Sequence, residues 1–201
     1  MKLLKLLKKL FQRDSFDKYI KKDLSMTGNY YKCLDIILEH EGGFVNHPKD
    51  PGGMTNKGVT KKVYDGWIGR ESTEAEMRGL TFDDVAPIYR KNYWDKIKGD
   101  DLPNGLDLCV FDWAVNSGPS RAAKKLQEIV DCTADGAIGP NTLKSIQEAN
   151  TKIGTDNLIK VYCKKRQDFY ESLKTFETFG RGWTRRNKET EAIALSMAWD
   201  I

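Results

Sequence analysis

Residues 30–60, YYKCLDIILEHEGGFVNHPKDPGGMTNKGVT, change character near their midpoint, and that change decides the fold. In the first part Tyr31, Leu34, Ile37 and Leu38 recur at three- and four-residue steps, the period of one apolar helix face. Gly42 and Gly43 stop the run, and a left-handed helix C-terminus is expected there. From Phe44 to Thr60 the chain is rich in Gly, Pro, Asn and Asp, which predicts a loop or a short β-hairpin near residues 44–60. Glu41 stands at the junction. Glu39, two residues earlier inside the helix, projects to a different face.

Downstream, helices are expected over residues 60–66, 73–78, 81–94, 106–117, 120–130, 140–149 and 155–173. Thr81 followed by Asp83 and Asp84 suits a helix start, and Pro140 after Gly139 suits a first helical turn. The fold class is therefore mainly α. No internal repeat or low-complexity linker divides the chain, so its second half is expected to pack closely on the first, with a boundary near Gly118 and Pro119.

The first thirteen residues, MKLLKLLKKLFQR, place leucines and Phe11 on one half of a helical wheel and Lys2, Lys5, Lys8, Lys9 and Arg13 on the other. Such a basic amphipathic helix is too short to span a bilayer, and its lysines interrupt the apolar core that a secretory signal requires. Residues 2–13 can lie on an anionic membrane surface or pack on the protein's own body.

The chain has 201 residues, 39% hydrophobic and 31% charged, with a formal net charge of +4. That length supports one substantial core, and the charge suits an anionic partner without specifying one. Neither an aromatic-basic RNA signature nor a helix-turn-helix pattern is present, so nucleic acid is not an expected partner. Cys33, Cys109, Cys132 and Cys163 are widely spaced and only His40 and His47 accompany them, so they read as buried or incidental thiols of a reduced, cytoplasm-made protein. No metal site and no cofactor are expected.

Glu41 is the residue best placed for acid chemistry. Breaking a glycosidic bond requires a carboxylic acid that keeps its proton and a second group that stabilises the cation or directs water. A carboxylate at a helix C-terminus faces the negative dipole end, and Phe44 nearby adds an apolar surface, both of which favour the protonated form. Asp50, followed by Pro51, Gly52 and Gly53, is the second acid expected to fold back toward that helix end, and Thr55 offers a hydroxyl to hold water. Taken alone, this E-x8-D-x4-T spacing equally describes a turn. For sugar binding the candidates are Tyr93, Trp113 and Asn116, while Trp94 reads as packing. Asp112 reads equally as an internal hydrogen-bond acceptor and stays outside the catalytic set, and Arg181, Arg185 and Arg186 read as a solvated face or as contacts for wall peptides or acidic polymer.

The segment EGGFVNHPKDPGGMTNKGVT resembles the signature of glycoside hydrolase family 108, which groups phage endolysins with bacterial muramidases. The resemblance continues through YRKNYWDKIKGDDLPNGLDLCVFDWAVNSGPSRAAKKLQ, and DGAIGPNTLKSI with FGRGW resemble the peptidoglycan-binding region that usually follows. It implies a lysozyme-like α fold with a catalytic domain over 26–118 and a helical peptidoglycan-binding region over 119–201, following the basic segment over 1–25. It also implies cleavage of the β-1,4 bond between N-acetylmuramic acid and N-acetylglucosamine, with Glu41 as the acid. Where that family's loop often reads NDPxDPGG, His47 here replaces the first Asp and leaves Asp50 as the acidic residue, so the second catalytic group is Asp50 or, if the first position is the family's helper, His47. Two readings follow: a monomeric endolysin made in the host cytoplasm and acting on peptidoglycan glycan strands in the periplasm or wall, or a catalytically silent wall-binding or secretion-assisting protein of the same fold.

Overall fold

A computed structural model describes residues 29–46 and 53–199 of the chain. The basic segment at 2–13, together with His47 and Asp50, lies outside the described residues. Nine α-helices are described: α1 (Tyr30–His40), α2 (Lys61–Ile68), α3 (Glu74–Arg78), α4 (Phe82–Tyr89), α5 (Leu106–Ser117), α6 (Pro119–Ile129), α7 (Pro140–Ile153), α8 (Thr155–Glu171) and α9 (Phe176–Met197). A hairpin of β1 (Thr55–Asn56) and β2 (Val59–Thr60) lies between α1 and α2. The fold is the mainly α one, with a short hairpin after the first helix, that the sequence leads one to expect.

Helix α5 is the axis of the core. Leu106 through Ala114 are all buried, so the helix is covered on every side, and α1, α6, α8 and α9 pack around it. The two acids within that run, Asp107 and Asp112, must find partners there. Asp107 Oδ2 accepts a hydrogen bond from Asn29 Nδ2 at 2.9 Å, which ties the start of α1 to the start of α5. Trp94 is fully buried, edge-on to Tyr30 and Phe111, and its Nε1 donates to Asp100 Oδ1 at 2.9 Å. It is packing, as its sequence position suggests.

Local chemistry sets the helix starts. Thr73 with Glu76, and Thr81 with Asp84, form reciprocal capping boxes at α3 and α4. Gly139 precedes Pro140 at the first turn of α7. The helix expected over 81–94 is two pieces: α4 ends at Tyr89 and residues Arg90–Trp94 continue as a π-helical turn. Pro87 lies inside α4, and its missing N–H removes one rung of the ladder just before the widened turn.

Two expectations change. Gly42 and Gly43 do not take positive φ; instead Glu41 leaves the helix in extended geometry (φ −81°, ψ 136°) and leads the chain to Val45, which pairs with Thr55. The bridge to the hairpin, rather than a left-handed glycine, ends α1. The second change is α9, whose 22 residues run beyond the last helix expected from sequence. Gly180 and Gly182 lower its intrinsic propensity by about 1 kcal/mol each relative to alanine. Packing overrides that cost: α9 lies against α8 and α5, and the Phe176 ring occupies the space that a Cβ on Gly180 would need.

Candidate active site

Glu41 caps the C-terminus of α1, its N–H reaching back to Ile37 O at 3.3 Å, and its side chain is 21% exposed. The hairpin turn lies against it. Lys57 (φ 48°) and Gly58 (φ 72°) form a two-residue turn with both central residues in left-handed geometry, the kind that matches the twist of paired strands. A Cβ on Gly58 would fall 2.3 Å from Tyr89 Oη and 3.0 Å from Glu41 Oε2, so glycine is required for both its conformation and its lack of a side chain. Tyr89 donates to Lys57 O at 3.0 Å, and buried Asn56 donates to Met77 O at 2.8 Å, which fixes the turn from both sides.

Thr55 is central to this arrangement. Its backbone N–H and C=O both pair with Val45, at 2.9 and 2.8 Å, while Thr60 pairs on its other side. Phe44 packs against the core with the Arg78 guanidinium 3.9 Å above its ring.

Arg186 Nη1 on α9 donates to Glu41 Oε1 at 3.0 Å. The rest of the guanidinium is held by Asp112, whose Oδ1 accepts from Arg186 Nε at 2.9 Å and from Nη2 at 2.7 Å. On the other side of Asp112, Arg166 Nη1 lies 2.6 Å from Oδ2, a charge contact whose angle falls outside hydrogen-bond geometry. Arg166 Nε donates to Tyr170 Oη at 2.7 Å. Two acids and two guanidiniums thus alternate in one line from the core to the surface: Arg166, Asp112, Arg186, Glu41. Burial alone penalises the Asp112 charge, but Arg166 and Arg186 together outweigh it and hold its carboxyl below the usual aspartate range. Burial followed by Arg186 lowers the pKa of His40, which neighbours Glu41 in the chain.

The sugar-binding candidates separate. Tyr93, half-buried, stands beside Tyr89 with ring centroids 5.5 Å apart, and its phenol is pushed up first by burial and then by the charge of Glu41, so it belongs to the Glu41 neighbourhood. Asn116 is exposed on α5 and donates to Asp112 O at 2.7 Å. Trp113 requires correction: it is 0% exposed, with Tyr162 edge-on at 5.2 Å and Phe169 at 5.9 Å, and offers no open face to a sugar. Its three-residue step to Asn116 does not bring it to the surface because Leu106 through Ala114 are enclosed on all sides and α5 opens to solvent only in its last turn. The arginines also separate: Arg181 and Arg185 are exposed, whereas Arg186 is 15% exposed and ion-paired, so the solvated-face reading fails for Arg186.

The fold, with a carboxylate at a helix end beside a hairpin, is lysozyme-like. The Glycosyl hydrolase 108 family model matches residues 34–118, and the Predicted Peptidoglycan domain model matches residues 121–188. Among solved structures, Brucella abortus SagA is similar at 42% sequence identity and a TM-score of 0.73, over 86% of this chain and 97% of that one. No curated protein sequence matches. The chain belongs to glycosyl hydrolase family 108. Its coarse function is accordingly peptidoglycan degradation by a glycoside hydrolase. Among the described residues, no helix is long and apolar enough to cross a membrane.

Proposed function

We propose that this protein is a muramidase that hydrolyses the β-1,4 bond between N-acetylmuramic acid and N-acetylglucosamine, with Glu41 as general acid. The observation that carries the reading is the fixing of Glu41. Arg186, itself clamped by Asp112, grips Oε1, while Oε2 lies on the side of the glycine turn. The ion pair fixes the carboxyl group before the substrate arrives, and Oε2, the oxygen that Arg186 does not hold, is the one proposed to carry the proton to the glycosidic bond.

Asp50 is the second acid of the proposal, acting across the bond on the cation or on water, and Thr55 assists by holding that water. The backbone of Thr55, paired on both edges, gives its hydroxyl a rigid base. Tyr93 and Asn116 are proposed substrate contacts. The physiological role that suits this activity is that of an endolysin, made in the cytoplasm of a bacterial host and acting on its wall, with residues 2–13 available for an anionic membrane surface.

The test is digestion of purified sacculi followed by mass spectrometry of the soluble products. Muramidase action gives new reducing ends on N-acetylmuramic acid. Reducing ends on N-acetylglucosamine would refute the bond assignment, and anhydro ends would make the enzyme a transglycosylase. Free peptide amines without glycan cleavage would make it a peptidase, and binding without products would make it a silent wall-binding protein.

A further inference from the structure

The helix that brings Arg186 to Glu41 carries two aromatic rings on the same stripe. Phe179, Trp183, Arg186 and Thr190 follow one another at steps of four, three and four residues, which aligns them on one face of α9. The inner end of that stripe faces the site: Arg186 holds Glu41 and Asp112, and Thr190 Oγ1 lies 3.4 Å from Asp112 Oδ2. The outer end is open. Phe179 is 55% exposed, an unusual position for a phenylalanine that continues a partly buried aromatic row.

The rings of Tyr170, Trp183 and Phe179 form that row. Tyr170 to Trp183 is 5.3 Å between centroids with planes 35° apart, and Trp183 to Phe179 is 5.8 Å with planes 31° apart. Both pairs are tilted, with planes nearer to parallel than to edge-on. Tyr170 at the base is 4% exposed and accepts from Arg166 Nε, so the row is anchored in the same charge line that positions Arg186. Arg181, Arg185 and Lys188 fall on the opposite side of α9 and are exposed, so the Phe179 and Trp183 end of the stripe carries no charge.

We propose that Trp183 and Phe179 form a platform for the glycan strand, extending outward along α9 from the contact between Arg186 and Glu41. This rests on the glycosidase reading above and adds to it the surface along which the polymer is held. At 1.5 Å of rise per residue, Trp183 lies about 4.5 Å and Phe179 about 10.5 Å along the helix axis from Arg186. That interval suits consecutive pyranose rings of a β-1,4 chain, whose flat C–H faces pack on the electron-rich faces of aromatic rings. The occupant is the sugar backbone, because the stripe offers flat apolar surface and no charge beyond Arg186.

The experiment uses the full chain carrying Glu41→Gln, so that substrate persists, and measures co-sedimentation with purified sacculi across protein concentrations. Adding Phe179→Ala weakens binding roughly tenfold. Phe179→Leu, which keeps apolar bulk without a flat face, stays weak, and Phe179→Trp restores binding. Trp183→Ala is read the same way once its thermal midpoint shows that it is folded, and Phe179, being mostly exposed, carries the test if it is not. If both Phe179→Ala and Phe179→Leu bind like the parent, the platform is refuted. A change in self-association with unchanged sacculus binding refutes it equally. The products of the enzyme with native Glu41, read separately by mass spectrometry, report on the glycosidase reading: native cleavage with no Phe179 effect removes the platform alone, and absent cleavage removes the glycosidase reading alone.

Discussion

Arg186 Nη1 lies 3.0 Å from Glu41 Oε1, although 145 residues separate the two in sequence. Glu41 lies in the stretch matched by the Glycosyl hydrolase 108 model and Arg186 in the stretch matched by the Predicted Peptidoglycan domain model. The contact therefore makes the second region part of the machinery around the proposed acid. Its energy comes from exchange of partners: Arg186 neutralises Asp112 on one side and orients Glu41 on the other.

Replacing Arg186 by Met tests that dual role. The variant leaves Asp112, 1% exposed, with Arg166 as its remaining charge partner, and removing one member of such a buried pair costs about 3 kcal/mol. Urea unfolding should report that loss. Hydrolysis of sacculi should fall by at least roughly tenfold at temperatures where the variant remains folded, because Glu41 loses its clamp. Arg186→Lys keeps a charge but not the fork that spans both acids, and should fall between the two. Full activity in the Met variant would show that Glu41 needs no such positioning.

The buried acids of α5 give opposite pH slopes. Burial raises the Asp107 carboxyl to about 6 from an ordinary 3.8, even though Asn29 and the N–H groups of Leu108 and Gly105 favour its charge. A raised folded value means that Asp107 contributes fully below the unfolded pKa and loses that contribution as pH climbs through about 6, roughly 3 kcal/mol in all. Asp112 is the reverse: its value is depressed, so its contribution is present above the unfolded pKa and is lost as pH falls below about 4. Urea midpoints measured from pH 3 to 8 should show a decline between about 4 and 6 that Asp107→Asn flattens. An unchanged slope in that variant would assign the decline to other groups.

Gly58→Ala probes the turn over Glu41. The left-handed φ of 72° costs about 1–2 kcal/mol for a residue with a Cβ, and the methyl would meet Tyr89 Oη and Glu41 Oε2. The turn must shift away from the carboxylate, so activity should drop by more than roughly tenfold with a thermal midpoint lowered by several degrees. Native turnover in this variant would mean that the turn does not define the geometry of Glu41.

Several of these features were legible in the sequence and others had no local signature. The position of Glu41 at a helix end was legible because an apolar helical period stops beside it, and the hairpin because Gly and Pro cluster after it. Trp94 was legible as core from its place in a helical pattern. Trp113 resembled it in type and spacing, and the difference lies in the enclosure of α5 on every side, a property of tertiary packing. Arg186 was hidden for two reasons. Its partners lie far away in the chain, and Gly180 and Gly182 obscured the helix that carries it. The phase of that helix, which puts Arg186 in line with Phe179 and Trp183 and opposite Arg181 and Arg185, is the signal that separates the three arginines once the helix is known. The helix end itself was misread: extended Glu41 and the Val45–Thr55 bridge do the work expected of a left-handed glycine.

The most direct measurement compares the native protein with Glu41→Gln for the rate at which new reducing ends appear on purified sacculi. Glutamine keeps the shape and an oxygen for Arg186 to grip, but cannot supply the proton. A general-acid role for Glu41 predicts a rate lower by at least roughly a hundredfold, with thermal midpoint and sacculus binding retained. A rate within about twofold of native would contradict it, since loss of a general acid costs far more than that.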